Sequence, residues 1–200
     1  TLLDGAMEDT ADARRFLEIL AKQADRLNAI LGDLLTLSSI EEEEERAHIT
    51  LELLGIRNTL EAAQELCSKK ASAKNISVHL DCPETITARI NPSLLEQAVA
   101  NLIDNAIKYS PAGSAVHIRA FREDGIIIRV EDRGCGVSQE HLPRLFERFY
   151  RVDKARSRSL GGTGLGLAIV KHVITAHGGR VTVESAPGVG STFSIVLPAP

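Results

Sequence analysis

Three short segments, in a fixed order, constrain this chain more than any other feature. The first is NLIDNAIKY at 101–109, the second DRGCG at 132–136, and the third GGTGLGL at 161–167. A single glycine-rich loop is weak evidence. An amide-bearing helix, an acidic glycine turn and a glycine-rich helix start are together difficult to explain without a phosphate-bearing ligand. The sequence therefore predicts a nucleotide pocket.

Composition excludes several other classes. The net charge is −4, basic residues are scattered and aromatic residues make up 4% of the 200 residues, so a nucleic-acid-binding surface is disfavoured. No apolar run approaches the roughly 20 residues that span a bilayer. The three cysteines, Cys67, Cys82 and Cys135, are too far apart for a zinc motif and are odd in number. A soluble protein of a reducing cytoplasm is predicted.

The first forty residues carry a long helical repeat, with apolar residues at alternating spacings of four and three. The seam consists of Phe16, Leu20, Gln23, Leu27, Ile30, Leu34 and Leu37, all apolar except Gln23. One helix cannot bury such a face alone, so we predict a dimerisation helix or part of a bundle, ending near Ser39. The alternative is a helix packed on its own globular domain. The acidic run Glu41–Glu45 predicts a linker.

Beyond the linker, short apolar strands alternate with amphipathic helices. This pattern predicts helices on one side of an antiparallel or mixed sheet, which is an α/β sandwich. We predict strands at 49–53, 76–80, 86–90, 116–121, 126–130, 181–184 and 192–196, and helices at 56–73, 92–109 and 165–177.

The helix at 92–109, with Asn91 as its N-cap, carries the first segment. Asn101, Asn105 and Lys108 are spaced i, i+4 and i+7 and therefore share one face, whereas apolar residues occupy most of the rest. Buried amides cost free energy unless they find partners, which a ligand would supply. An Asn carbonyl oxygen suits Mg²⁺. Satisfied core amides are the alternative.

The second segment directly follows a predicted strand. Asp and Gly are common turn residues, so a plain turn is the alternative here. In this context Asp132 is a candidate acceptor for the exocyclic amino group of adenine. Gly134 and Gly136 lack the Cβ atom that would keep a ligand away from the backbone.

The third segment precedes a helix, where unpaired backbone amides favour phosphate oxygens. It has neither the preceding strand of a dinucleotide fold nor the lysine of a P-loop. The candidate phosphate-binding residues are Gly162, Thr163, Gly164, Leu165 and Gly166. Residues 145–159 join an aromatic anchor to a basic stretch and predict a lid, with Arg151 as its candidate phosphate ligand and a solvated loop as the alternative.

Together these segments resemble the N, G1, F and G2 boxes of two-component sensor histidine kinases, over essentially the whole chain. FERFYRVDKA at 146–155 and GGTGLGLAIVK at 161–171 are particularly similar to the phosphate-sensor type. The resemblance implies an α+β fold: a two-layer α/β sandwich of the Bergerat ATP-binding type over 47–200, preceded by a helical dimerisation and phosphotransfer segment over 1–46.

The resemblance also implies ATP and Mg²⁺ as cofactors, with Lys108 and Arg151 stabilising phosphate charge during transfer. The implied contacts are Asn105 with magnesium, Asn101 and Lys108 with the phosphates, Tyr109 with the nucleotide, Asp132 with adenine, Arg151 with the terminal phosphate, and the backbone of residues 162–166 with the triphosphate.

Related hydrolytic ATPases carry a catalytic Glu four residues before the magnesium-binding Asn, where this chain has Asn101. A neutral amide cannot act as the general base that activates water, so phosphoryl transfer is favoured over hydrolysis. An ATP-sensing scaffold without transfer stays open as a third class.

The family carries its phospho-acceptor in a His-Glu-x-x-(Thr/Asn)-Pro box. None of the six histidines lies in such a box: His48, His79, His117, His141, His172 and His177. We therefore expect these 200 residues to bind ATP without phosphorylating themselves. The resemblance implies a response-regulator receiver domain as partner, a homodimer formed through the helical segment, and a parent that is an inner-membrane sensor with this part in the cytoplasm.

Overall fold

The computed structural model describes residues 10–45, 49–153 and 162–200. Four α-helices, seven strands and one short 3-10 helix (Leu142–Arg144) lie in the described part of the chain. The α-helices and strands are α1 (Thr10–Glu45), β1 (Glu52–Gly55), α2 (Arg57–Ala73), β2 (Ser77–Asp81), β3 (Thr87–Ile90), α3 (Pro92–Tyr109), β4 (Ala115–Arg122), β5 (Ile126–Asp132), α4 (Gly166–Ala176), β6 (Arg180–Ala186) and β7 (Gly190–Leu197). Each element predicted from the sequence is present, with ends shifted by up to six residues.

The strands form a five-stranded mixed sheet in the order β2-β4-β5-β7-β6, and β1 pairs with β3 in a separate two-stranded sheet. β2 runs parallel to β4, whereas the other pairs of the large sheet are antiparallel. Helices α2, α3 and α4 pack on one face of the large sheet. The predicted two-layer sandwich is confirmed.

Helix α3 lies at the centre of the core. Its N-cap is Asn91, whose side chain accepts a hydrogen bond from the Leu94 N–H at 3.2 Å, as predicted. The buried face of α3 meets strands β4 and β5, which contribute alternate apolar side chains. The fully buried α3 residues include Leu95, Leu102 and Ile103.

A buried histidine joins the start of α3 to the end of α4. The His177 ring accepts a hydrogen bond at Nε2 from the Asn91 N–H at 3.0 Å, and its Nδ1–H donates to the Val173 carbonyl at 2.7 Å. Because His177 is 3% exposed, burial lowers its pKa below the ordinary value of 6.5.

Helix α1 runs through Glu45, whereas the sequence predicted that the helix would end near Ser39. Glutamate is a good helix former, so the acidic run extends the helix. The last turns of α1 pack against α4, where Leu37 is 2% and Ile40 is 1% exposed. Most of the large apolar side chains before these turns stay exposed, including Leu27 and Leu31, whereas Ile30 is partly buried against the core. Within the described ranges, no helix has the length and apolarity needed to cross a bilayer.

Candidate nucleotide-binding site

One cavity of about 760 Å³ collects nearly all of the residues that the sequence singles out. It lies where α3, the end of β5, the segment before residue 154 and the loop before α4 meet. The predicted site residues in its wall are Asn101, Asn105, Lys108, Tyr109, Asp132, Gly136, Arg151, Gly162, Thr163, Gly164 and Gly166. The volume falls within the range of roughly 300–1,000 Å³ that is typical of small-ligand sites.

Two predicted residues do not lie in the wall but support it. The Gly134 N–H donates to Asp132 Oδ1 at 2.7 Å and so fixes the carboxylate. Leu165 is fully buried in the core at the start of α4. Gly134 and Leu165 therefore position the backbone of their segments without lining the cavity themselves.

The carboxyl group of Asp132 is 7% exposed at the end of β5. Burial raises its pKa above the ordinary range, although hydrogen bonds from the backbone of Gly134 and Ser191 partly oppose this shift. Its Oδ1 is held by the turn, while the side chain lines the cavity. The site thus offers a fixed, desolvated acceptor.

Close backbone approaches explain two of the glycines in these segments. Gly136 has φ +65°, and a Cβ there would collide with the carbonyl oxygen of Ala186. At Gly166 a Cβ would lie 3.3 Å from Oδ1 of Asn101. The absence of a side chain at Gly166 therefore lets α4 begin directly beside the amide face of α3.

The glycine-rich loop is tied to two other parts of the structure. Thr163 Oγ1 donates to Asp33 Oδ2 of α1 at 2.7 Å and accepts from the Leu165 N–H at 3.2 Å. The Phe149 N–H donates to the Gly164 carbonyl at 2.8 Å. The loop is thus held between α1 and the segment that carries the predicted lid.

The first part of the predicted lid is described, and residues 154–161 of the lid and loop lie outside the described residues. Tyr150 lies in the cavity wall beside Arg151. Its hydroxyl lies 2.7 Å from His141 Nδ1, and the guanidinium of Arg144 lies 4.3 Å from its ring centroid. These contacts anchor the segment that brings Arg151 to the cavity.

Several wall residues were not predicted as site residues, among them Ala29, Asp33, Lys70 and Asp104. Asp104 accepts from both Lys70 and Lys108. The position of Asp104 beside Asn105 on a helix with a polar face was an available signal. Asp33 and Lys70 reach the cavity from other helices, which a local pattern does not reveal.

In the described part of the chain, no group of three or more His, Cys, Asp or Glu side chains is arranged to hold a metal ion. Mg²⁺ characteristically takes few protein ligands and completes its octahedron with water and phosphate oxygens. The carboxamide of Asn105, which lines the cavity, is a suitable hard donor. The residues present therefore fit a magnesium nucleotide.

Taken together, the two-layer sandwich and this cavity define an ATP-binding domain. Residues 90–200 match the family model described as histidine kinase-, DNA gyrase B-, and HSP90-like ATPase. Because that match covers more than half of the chain, the chain belongs to this family, and its catalytic part is homologous to that of sensor histidine kinases.

The chain is 43% identical over 195 residues to the sensor-like histidine kinase SenX3 of Mycobacterium tuberculosis, covering 96% of this chain and 47% of that protein. It is 38% identical over 200 residues to the phosphate regulon sensor protein PhoR of Pseudomonas aeruginosa, covering 97% and 44% respectively. The chain thus spans about half the length of these relatives.

Among solved structures, full-length ShkA in complex with AMPPNP superposes with a TM-score of 0.72 at 30% identity, covering 94% of this chain and 39% of ShkA. The similarity to the phosphate regulon sensor protein PhoR and to ShkA in complex with AMPPNP agrees with the resemblance seen in the sequence. The Bergerat-type α+β fold preceded by a helix is confirmed.

Proposed function

We propose that this chain is the ATP-binding catalytic portion of a sensor histidine kinase that donates the γ-phosphoryl group of ATP to a histidine outside these 200 residues. The observation that carries the proposal is the amide of Asn101 in the cavity wall, one turn before Asn105. A carboxamide cannot take a proton from water, so the site suits phosphoryl transfer better than hydrolysis.

The roles of the wall residues follow from their chemistry. Asn105 would hold Mg²⁺, which neutralises phosphate charge when bound. Lys108 and Arg151 would bind phosphate oxygens, and Asp132 would accept a hydrogen bond from the adenine amino group. These proposed roles are supported by the position of all four side chains in the wall of one cavity. Asn101 and the backbone of residues 162–166 would contact the triphosphate, and Tyr109 the nucleotide.

The organisation of the chain extends this proposal. Residues 1–46 would be a dimerisation and phosphotransfer segment, and residues 47–200 the catalytic domain. A second copy would cover the exposed apolar side chains of α1, such as Leu27 and Leu31. A response-regulator receiver domain would take the phosphoryl group from the acceptor histidine. The parent would be a membrane-bound sensor with this part in the cytoplasm, an expectation that rests on the resemblance to sensor histidine kinases.

A second candidate function, an ATP-sensing scaffold, is favoured by one contact. Thr163 of the glycine-rich loop donates to Asp33 of α1. A ligand that moves the loop would therefore change the docking of α1 without any transfer of phosphate.

The experiment combines calorimetry of Mg-ATP binding with γ-labelled ATP. We expect binding, no stable label on the 200-residue chain, and label on an added dimerisation domain that carries an acceptor histidine. Stable label on this chain would refute the assignment of the acceptor. Release of phosphate at a steady rate would favour an ATPase, and binding without label on the added domain would favour the scaffold.

A further inference from the structure

The carboxylate of Asp104 lies between two lysines in the wall of the cavity. Its Oδ1 is 2.6 Å from Lys70 Nζ, and its Oδ2 is 2.5 Å from Lys108 Nζ. The side chain of Asp104 is 15% exposed. Both lysines lower the pKa of Asp104 by more than burial raises it. A carboxylate in this position therefore needs at least one cation.

The second lysine comes from a different helix. Lys70 belongs to α2, whereas Asp104 and Lys108 lie one turn apart on α3. One turn beyond Lys70, Lys74 Nζ donates to the carbonyls of Ile107 and Lys108 at 2.8 Å each, so it caps the end of α3. Lys74 thus holds the helix, whereas Lys70 lines the cavity.

Two partners compete for the ammonium group of Lys108. This group is held by Asp104, but the proposed function requires it to bind phosphate oxygens. If Asp104 were left without a cation, a largely buried carboxylate would remain beside the phosphates. Such an unpaired charge is costly and would repel the ligand.

We propose that Lys70 is a positioning residue for nucleotide binding: it keeps the carboxylate of Asp104 paired, so that Lys108 is free to turn to the phosphate groups of the nucleotide. The inference rests on the proposed function, because it assumes a polyphosphate in this cavity. The side chain of Lys70 is 62% exposed, whereas that of Asp104 is 15% exposed.

The test measures the Kd of ATP, ADP and adenosine by calorimetry for Lys70→Gln. Lys69→Gln is the matched control, because Lys69 carries the same charge on the same helix and does not line the cavity. We expect Lys70→Gln to weaken ATP about fivefold, the scale of an ion pair near a surface, and to weaken adenosine hardly at all. Lys69→Gln should leave all three unchanged.

Two further variants separate positioning from general damage. Lys70→Arg should retain the affinity for ATP, because it keeps the positive charge. In Lys70→Gln/Asp104→Asn no carboxylate holds Lys108, so most of the lost ATP affinity should return. Equal losses for ATP and adenosine, or no recovery in the double variant, would overturn the inference.

The same data distinguish a failure of the inference from a failure of the proposed function. If the unmodified chain binds ATP and Lys108→Gln weakens it, while Lys70→Gln does not, the role of Lys70 is refuted and the nucleotide site stands. If the unmodified chain binds no ATP, the proposed function itself fails.

Discussion

Protonation of His177 should weaken the connection between α3 and α4. The ring is 3% exposed and uses both nitrogens, accepting from the Asn91 N–H and donating to the Val173 carbonyl. A proton on Nε2 would place an N–H against the N–H of Asn91 and bury a charge. Loss of such a buried hydrogen bond costs about 1–3 kcal/mol.

The sign follows from the lowered pKa of the folded state. Below the ordinary pKa of about 6.5, the unfolded chain takes up a proton that the folded chain does not, so the free energy of unfolding falls as the pH falls. This loss begins below the ordinary pKa and is complete at the lower, folded-state pKa. At pH 5.5 the loss relative to pH 8 amounts to about 1 kcal/mol, or roughly 2–4 °C in Tm for a chain of this size.

The assay compares Tm and urea unfolding of the unmodified protein and His177→Gln from pH 8 to pH 5.5. Glutamine offers an acceptor and a donor but does not titrate in this range, so the variant should lose less stability on acidification. His172→Gln is the control, since His172 lies on α4, which His177 follows directly, and is near exposed Arg148. Burial raises the pKa of Asp132, an effect of opposite sign that both proteins share. A constant difference between the unmodified protein and His177→Gln across the pH range would refute the reasoning.

Four further outcomes are expected. Asn105→Ala should weaken Mg-ATP about tenfold in calorimetry, as loss of a hydrogen bond or ligand to a charged group does, and unchanged affinity would exclude the magnesium role. Asp132→Asn should reduce the preference for ATP over GTP, measured by competition. Leu102→Ala, at a fully buried position, should lower the free energy of unfolding by about 2–5 kcal/mol in urea. Maleimide at pH 8 should label exposed Cys135 before Cys67, because burial raises the pKa of the Cys67 thiol to about 11. Mg-ATP should slow the labelling of Cys135, because Cys135 lines the cavity. Equal labelling of Cys135 with and without Mg-ATP would contradict this expectation.

The parts of the site that the sequence predicted are those set by local rules. Asn91 and Pro92 mark the start of α3, and the helical period then places Asn101, Asn105 and Lys108 on one face. The glycine segments were also recognisable, because Gly136 needs a positive φ and the glycines at 162, 164 and 166 lead directly into a helix. These requirements act within a few residues or select glycine directly.

The parts that the sequence did not predict depend on contacts between distant elements. Asp33 reaches the cavity because α1 packs on α4, and Lys70 because α2 packs on α3. The end of α1 was wrong by six residues, since a run of glutamates is equally compatible with a linker and with a helix. The periodicity of a sequence shows which face of a helix is apolar, but it does not show which other helix packs on that face.

The contribution of α1 to the cavity wall has a consequence for the discovery of inhibitors. A compound that touches both Ala29 and Gly164 would bind while α1 is docked and lose contacts when α1 moves away. By linkage, such a compound would in turn hold α1 in place. Screens that use the chain without α1 would therefore miss compounds whose affinity depends on contacts with both α1 and the glycine-rich loop.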